Sequence, residues 1–171
     1  MSQSKSFLPA DFEIPVVDIP GGYQLRPLGM DDLARDYTAV MSSIDHLRTS
    51  GHLQPPGELD FDWPRPDIEI RFHLTMLGEA EWAMHNLARV EYAIRTEEEQ
   101  LGCLYVFPSL SPDYDAQLTM WVRSDVYADT DLDSAFWEFS KAWVRDAFPF
   151  ERIAFPGRDL SWDEYLAGVE Q

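Results

Sequence analysis

The spacing of apolar residues changes period along this chain, and each change marks an element. From Gln117 to Arg123, Leu118, Met120 and Val122 alternate with Gln117, Thr119, Trp121 and Arg123, which predicts a strand with two unlike faces. Leu132, Ala135, Phe136, Phe139, Ala142 and Trp143 then recur at helical spacing, so an amphipathic helix follows. Pro149 stops that helix. The turn between them carries Asp125, Asp129 and Asp131, with Asp133 in the helix's first turn. Asp131 or Thr130 is placed to cap it.

The rest of the chain divides in the same way. Residues 1–22 read as an extended arm, because Pro9, Pro15 and Pro20 exclude a long helix and Phe12, Ile14, Val16 and Val17 can anchor it. Gly21-Gly22 is a turn, and Tyr23 to Leu28 a short strand. A helix follows with Asp31 and Asp32 in its first turn and Leu33, Tyr37, Val40, Met41 and Ile44 as its buried stripe. Arg48 to Pro66 is a loop broken repeatedly by Gly and Pro. Ile68 to Leu87 predicts a second helix, with Phe72, Met76, Ala80, Ala83, Met84 and Leu87 on one face. Val90–Arg95 and Leu101–Phe107 form a hairpin around an acidic turn. Arg152–Phe155 is a last strand, and Ser161–Val169 a short terminal helix.

Composition narrows the class. With 45% hydrophobic and 13% aromatic residues among 171, the chain can bury one core. The net charge of −18 disfavours nucleic acid and anionic membrane, which recruit basic patches. No apolar run approaches the ~20 residues of a membrane span, and none at the N-terminus resembles a signal peptide, so a cytoplasmic location is expected. Cys103 is the only cysteine and lies in an apolar strand, where it reads as a small buried hydrophobe. No zinc spacing, nucleotide-binding glycine loop or nucleophile elbow is present, and no metal is expected. His73 and His85 lie three helical turns apart and cannot share an ion, while His46 and His52 flank a loop.

Four segments in this order carry a resemblance: RPLGMDDLARDYTAVMSS from Arg26, LGCLYVFPS from Leu101, YDAQLTMWVR from Tyr114 and PFERIAFPGRDLSW from Pro149. Together they resemble the GNAT superfamily of N-acetyltransferases, and in particular a little-characterised bacterial branch of it. The resemblance implies an α/β domain over residues 23–171, a twisted mixed sheet flanked by helices and shortened at its C-terminal end. The sheet edge so exposed would be covered by the arm from Phe12 to Val17 or by a second chain, and a homodimer is expected.

The resemblance also implies a chemistry, transfer of an acyl group from acetyl-CoA to a small amine. Backbone amides at Met120, Trp121 and Val122 would then face the thioester, with Arg123 and Ser124 leading into the pyrophosphate turn. Glu91 or Tyr92 would face the acceptor as base. That superfamily's turn is Gln/Arg-x-x-Gly-x-Gly/Ala, whose amides cradle phosphate at a helix N-terminus. Here Ser124-Asp125-Val126-Tyr127-Ala128 follow Arg123 with no glycine, and from Ser109 onward there are 13 acidic residues against 5 basic ones. The branch's His and Glu on the second helix fall on Ala80 and Ala83. Tyr165 is the only tyrosine near the place of the family's thiolate-protonating Tyr. A second reading therefore stands beside the first: a catalytically silent GNAT-fold protein that binds a small ligand or a protein partner.

Overall fold

A computed structural model describes residues 6–55 and 63–169. Residues 56–62, inside the Pro-rich loop, lie outside the described residues, as do both extreme termini. Six strands form one mixed sheet in chain order: β1 Val17–Ile19, β2 Tyr23–Pro27, β3 Val90–Arg95, β4 Gln100–Pro108, β5 Ala116–Val122 and β6 Ile153–Ala154. Neighbours pair antiparallel except β5 and β6, which run parallel. The helices are α1 Leu33–Met41, α2 Ile44–Thr49, α3 Ile70–His85, α4 Ser124–Asp129, α5 Leu132–Ala147 and α6 Trp162–Leu166. This is the twisted mixed sheet flanked by helices that the four segments imply.

Strand alternation sorts the core into two layers. Tyr92, Ile94, Leu104, Val106, Leu118, Met120 and Val122 point to one face, where they meet Phe136, Trp137 and Val144 of α5. Each such fully buried side chain contributes roughly 1.5–3 kcal/mol. Ala93, Cys103 and Trp121 point to the other face and meet Ala39 and Val40 of α1, Leu47 of α2 and Leu77 of α3. The polar half of the β5 alternation is thus not a solvent face: Gln117 and Thr119 are buried beneath α1 and α3.

The N-terminal segment belongs to this core. Leu8 is fully buried, Phe7 stacks on Phe150, and Phe12 packs on Phe148. Its strand β1 joins β2 at the edge of the sheet opposite β6, so the arm does not run along the C-terminal edge where it was expected.

Two local elements differ from the periodicity. The first helix breaks at Ser42-Ser43 and restarts as α2, which reaches into the segment read as loop. Ser43 gives the reason: its Oγ accepts the Ser124 amide at 3.1 Å, tying the break to the start of α4. The turn after β5 is itself a short helix, α4, which has a single buried residue, Val126, and so no apolar stripe. At the start of α5, Thr130 Oγ1 accepts the Leu132 amide at 3.1 Å, while Asp131 makes no capping bond with its side chain.

Candidate functional site

Beneath α1 and α3, against the β3–β4–β5 surface, lies a cavity of about 390 Å³. Its floor is Glu91, Tyr105, Phe107 and Thr119, one face of three adjacent strands. Its walls are Asp36 from α1 and His73, Met76, Leu77 and Glu79 from α3. Leu53 and Trp63 line the side nearest the Pro-rich loop. The site is an apolar and aromatic chamber with acidic groups at fixed points, the usual character of a small-molecule pocket.

Glu91 sits on this floor because it alternates with Tyr92, whose side chain goes to the opposite face. The two residues picked out together in the sequence are therefore separated by the sheet. Tyr92 is fully buried against Trp143, and its hydroxyl donates to Pro15 O at 2.9 Å. Burial pushes its phenol pKa well up. The Glu91 side chain is 12% exposed and accepts from Arg89 Nε at 2.6 Å. Burial raises its carboxyl above the ordinary range, opposed by the hydrogen bond from Arg89 and by that cation's charge.

Sequence reasoning missed a buried dyad in the same chamber. His73 Nε2 lies 2.6 Å from Asp36 Oδ2, and both residues are almost wholly buried. Asp36 Oδ1 also receives Gln100 Nε2 and, at 3.4 Å, the Cys103 thiol. In the neutral ring the proton sits on Nε2, facing the carboxylate. Nδ1 is then an open acceptor, buried and without a hydrogen-bond partner among the described residues. A signal existed: Asp36 lies on the Leu33–Val40 stripe of α1, and His73 is four residues before Leu77 on the buried face of α3. Ala80 and Ala83 lie on that face too, buried and apolar. Among the described residues, no three His, Cys, Asp or Glu side chains are arranged to hold a metal ion.

The second place of interest is the gap between β5 and β6. These strands pair only at Ala116–Ile153 and Gln117–Ala154, so among the described residues β5 from Leu118 to Val122 has no strand partner on that side. Arg158, from the segment after β6, fills the gap. Its Nη2 donates to Met120 O at 3.2 Å. Both Nη atoms donate to Asp133 on α5, each at 2.7 Å, and the two side chains are 10% exposed. The guanidinium lies 4.8 Å from the Trp137 ring and 3.1 Å from His52 Nδ1.

His52 in turn packs against His46 and Tyr127. Burial, aided by the Arg158 charge, lowers its pKa to about 4. A folded-state pKa below the unfolded value of about 6.5 means the unfolded chain binds the proton first. Stability from this group is complete above pH 6.5 and is lost as pH falls toward 4. Thermal melts of His52→Gln are expected to show a weaker loss of Tm across that window than wild type. Parallel pH profiles would remove this reading.

The residues expected at an acyl donor occupy settled positions. Met120, Trp121 and Val122 are fully buried in β5. Arg123 is saturated: Nη1 donates to Glu99 at 2.5 Å, and Nε and Nη2 to Asp125 at 3.0 and 2.8 Å. Its hydrogen bond to Asp125, with that to Glu99, holds its pKa above even the ordinary guanidinium value. The Ser124 amide is spent on Ser43, and its hydroxyl donates to Ser42 O. Tyr165 is buried, its hydroxyl shared among Gln117, Ser109 and the Leu110 amide. Arg123 and Ser124 therefore do not make a free phosphate cradle, and a pyrophosphate does not fit those two groups as they stand.

No protein-family model matches the chain, and no curated protein matches it. Solved structures do. Ribosomal-protein-S5-alanine acetyltransferase from Vibrio fischeri superposes with a TM-score of 0.59 at 14% identity, over 91% of this chain and 82% of that one. Mycobacterium smegmatis RimJ, in complex with CoA-disulfide, gives 0.59 at 18% identity over 90% and 72%. Spermidine N-acetyltransferase from Vibrio cholerae, in complex with CoA and spermine, gives 0.53 at 9% identity over 77% and 69%. At these identities the likeness shows a GNAT-like fold.

Proposed function

We propose that this GNAT-fold chain binds a small organic cation, a primary amine with an apolar body, in the chamber beneath α1 and α3, and performs no acyl transfer. The observation that carries this reading is the buried Glu91 carboxylate. Among the described residues Arg89 alone is bonded to it as a neutralising group, while Asp36 and Glu79 add negative charge around the same chamber. A buried carboxylate with excess negative charge nearby favours a cation. Phe107, Tyr105 and Trp63 supply the apolar and aromatic surface for the body of such a molecule. His73 Nδ1 offers an acceptor for an ammonium N–H.

Isothermal titration with phenethylamine, tryptamine and spermidine tests the reading. At least one is expected to bind saturably at neutral pH. Glu91→Gln is expected to weaken that binding about 10–100-fold, the worth of one hydrogen bond to a charged group. Affinity should fall as pH drops through the raised Glu91 range, because protonation removes the charge that holds the ligand. An absence of binding by all three amines, or an affinity unchanged by Glu91→Gln, sinks it.

A second reading has its own support. The β5–β6 gap and the CoA carried by two of the structural relatives favour acyl transfer from acetyl-CoA to the same amine. It requires Arg158 to leave the gap and the pyrophosphate to find donors other than Arg123 and Ser124.

A further inference from the structure

We propose that Arg158 is a built-in occupant of the β5–β6 gap, so that this chain has replaced an extended amide ligand there with one of its own side chains. The free edge of β5 is what an extended secondary amide would pair with, and Met120 O is the acceptor it exposes on that side. Arg158 takes that acceptor. Its charge is met by the bidentate Asp133 on α5, and its flat face by the Trp137 ring. The guanidinium thus meets the strand edge on one side and two side chains of α5, Asp133 and Trp137, on the other.

The turn that delivers Arg158 is shaped for this purpose. Gly157 has φ +78, and a Cβ there would lie 2.3 Å from Gly51 O and 2.7 Å from Trp162 Nε1. Only glycine lets the two segments close so tightly. Trp162 Nε1 donates to Gly51 O at 2.6 Å, and His52, the next residue, accepts from Arg158. The loop after α2 is therefore tied, at Gly51 and His52, to the segment that carries Arg158. This arrangement is distinct from the loss of a phosphate cradle at Arg123 and Ser124. One blocks the amide lane and the other removes the anion site.

Pantetheine separates the two because it has the amides and no phosphate. Wild-type chain is expected to show no saturable heat with pantetheine at 10 mM in isothermal titration. Arg158→Ala combined with Asp133→Ser empties the gap without leaving a lone charge. This variant is expected to bind pantetheine saturably in the millimolar range, at least tenfold more tightly than wild type. Pantetheine binding to wild type in that same range overturns the proposal, and so does a folded variant that fails to bind. Should the variant not fold, arginine side-chain NMR of wild type decides. Arg158 Nη protons are expected to be resolved and slowly exchanging, and a rapidly averaged guanidinium signal overturns the proposal. The inference does not depend on the amine reading, since Arg158 does not line that chamber. Phenethylamine titration of the same variant reports on the chamber alone, so the two ideas fail separately.

Discussion

Asp133→Ala is expected to lower stability by about 3–5 kcal/mol, because it strands the Arg158 cation in a buried site. The two side chains are 10% exposed and joined by two bonds of 2.7 Å, so water cannot readily replace the lost carboxylate. For a chain of this size that loss corresponds to a fall in Tm of roughly 6–20 °C. Differential scanning calorimetry reads it directly. The double variant Asp133→Leu with Arg158→Met is expected to recover most of the deficit, since removing both charges avoids their desolvation cost. A single-variant loss below about 1 kcal/mol, the scale of a surface pair, would show that the ion pair is solvated.

Gly102→Ala is expected to be worse, above about 4 kcal/mol, or to prevent folding altogether. A Cβ at this position of β4 would lie 2.0 Å from Trp121 O and 2.8 Å from Val122 Cα. Both obstacles are backbone of β5, which is paired with β4 along seven register positions and cannot retreat alone. Any shift would also unseat Trp121, fully buried above the α1 layer, with its indole N–H donating to Tyr105 at 3.0 Å. The soluble fraction on expression and the circular-dichroism melt measure the effect. A variant that melts like wild type would contradict the close approach of these strands.

The sheet and α5 were readable because their signals are local. Period two along β5 and period 3.6 along α5 each follow from residues a few positions apart, and the β5 side chains alternate between the two faces of the sheet, although all seven residues are buried. The site was harder to read for two physical reasons. First, alternation tells which face a residue takes, not whether another layer covers that face. Period two puts Glu91 and Tyr92 on opposite faces, and the packing of α1 and α3 is what buries the Glu91 side. Second, the decisive polar pairs are remote in sequence. His73 and Asp36 are 37 residues apart, and Arg158 and Asp133 are 25 apart. No spacing rule connects such positions, although a charged residue on an apolar helical stripe, as Asp36 is, marks one partner. Asp133 illustrates the limit: within the sequence it is a first-turn carboxylate complementing a helix dipole, and in the fold it anchors a buried guanidinium.

The resemblance to N-acetyltransferases and the details of the donor side pull in different directions, and packing explains how both hold. The hydrophobic pattern that builds the sheet is carried by residues such as Leu118, Met120 and Phe136, none of which performs chemistry. The groups that would greet a phosphate, Arg123 and Ser124, have each acquired an internal partner.

Calorimetric titration of the wild-type chain with acetyl-CoA, run beside phenethylamine at neutral pH, tests this account most directly. Saturable heat is expected with the amine and none with acetyl-CoA at millimolar concentration, and the amine isotherm should be unchanged by acetyl-CoA. Stoichiometric acetyl-CoA binding at micromolar affinity would contradict it.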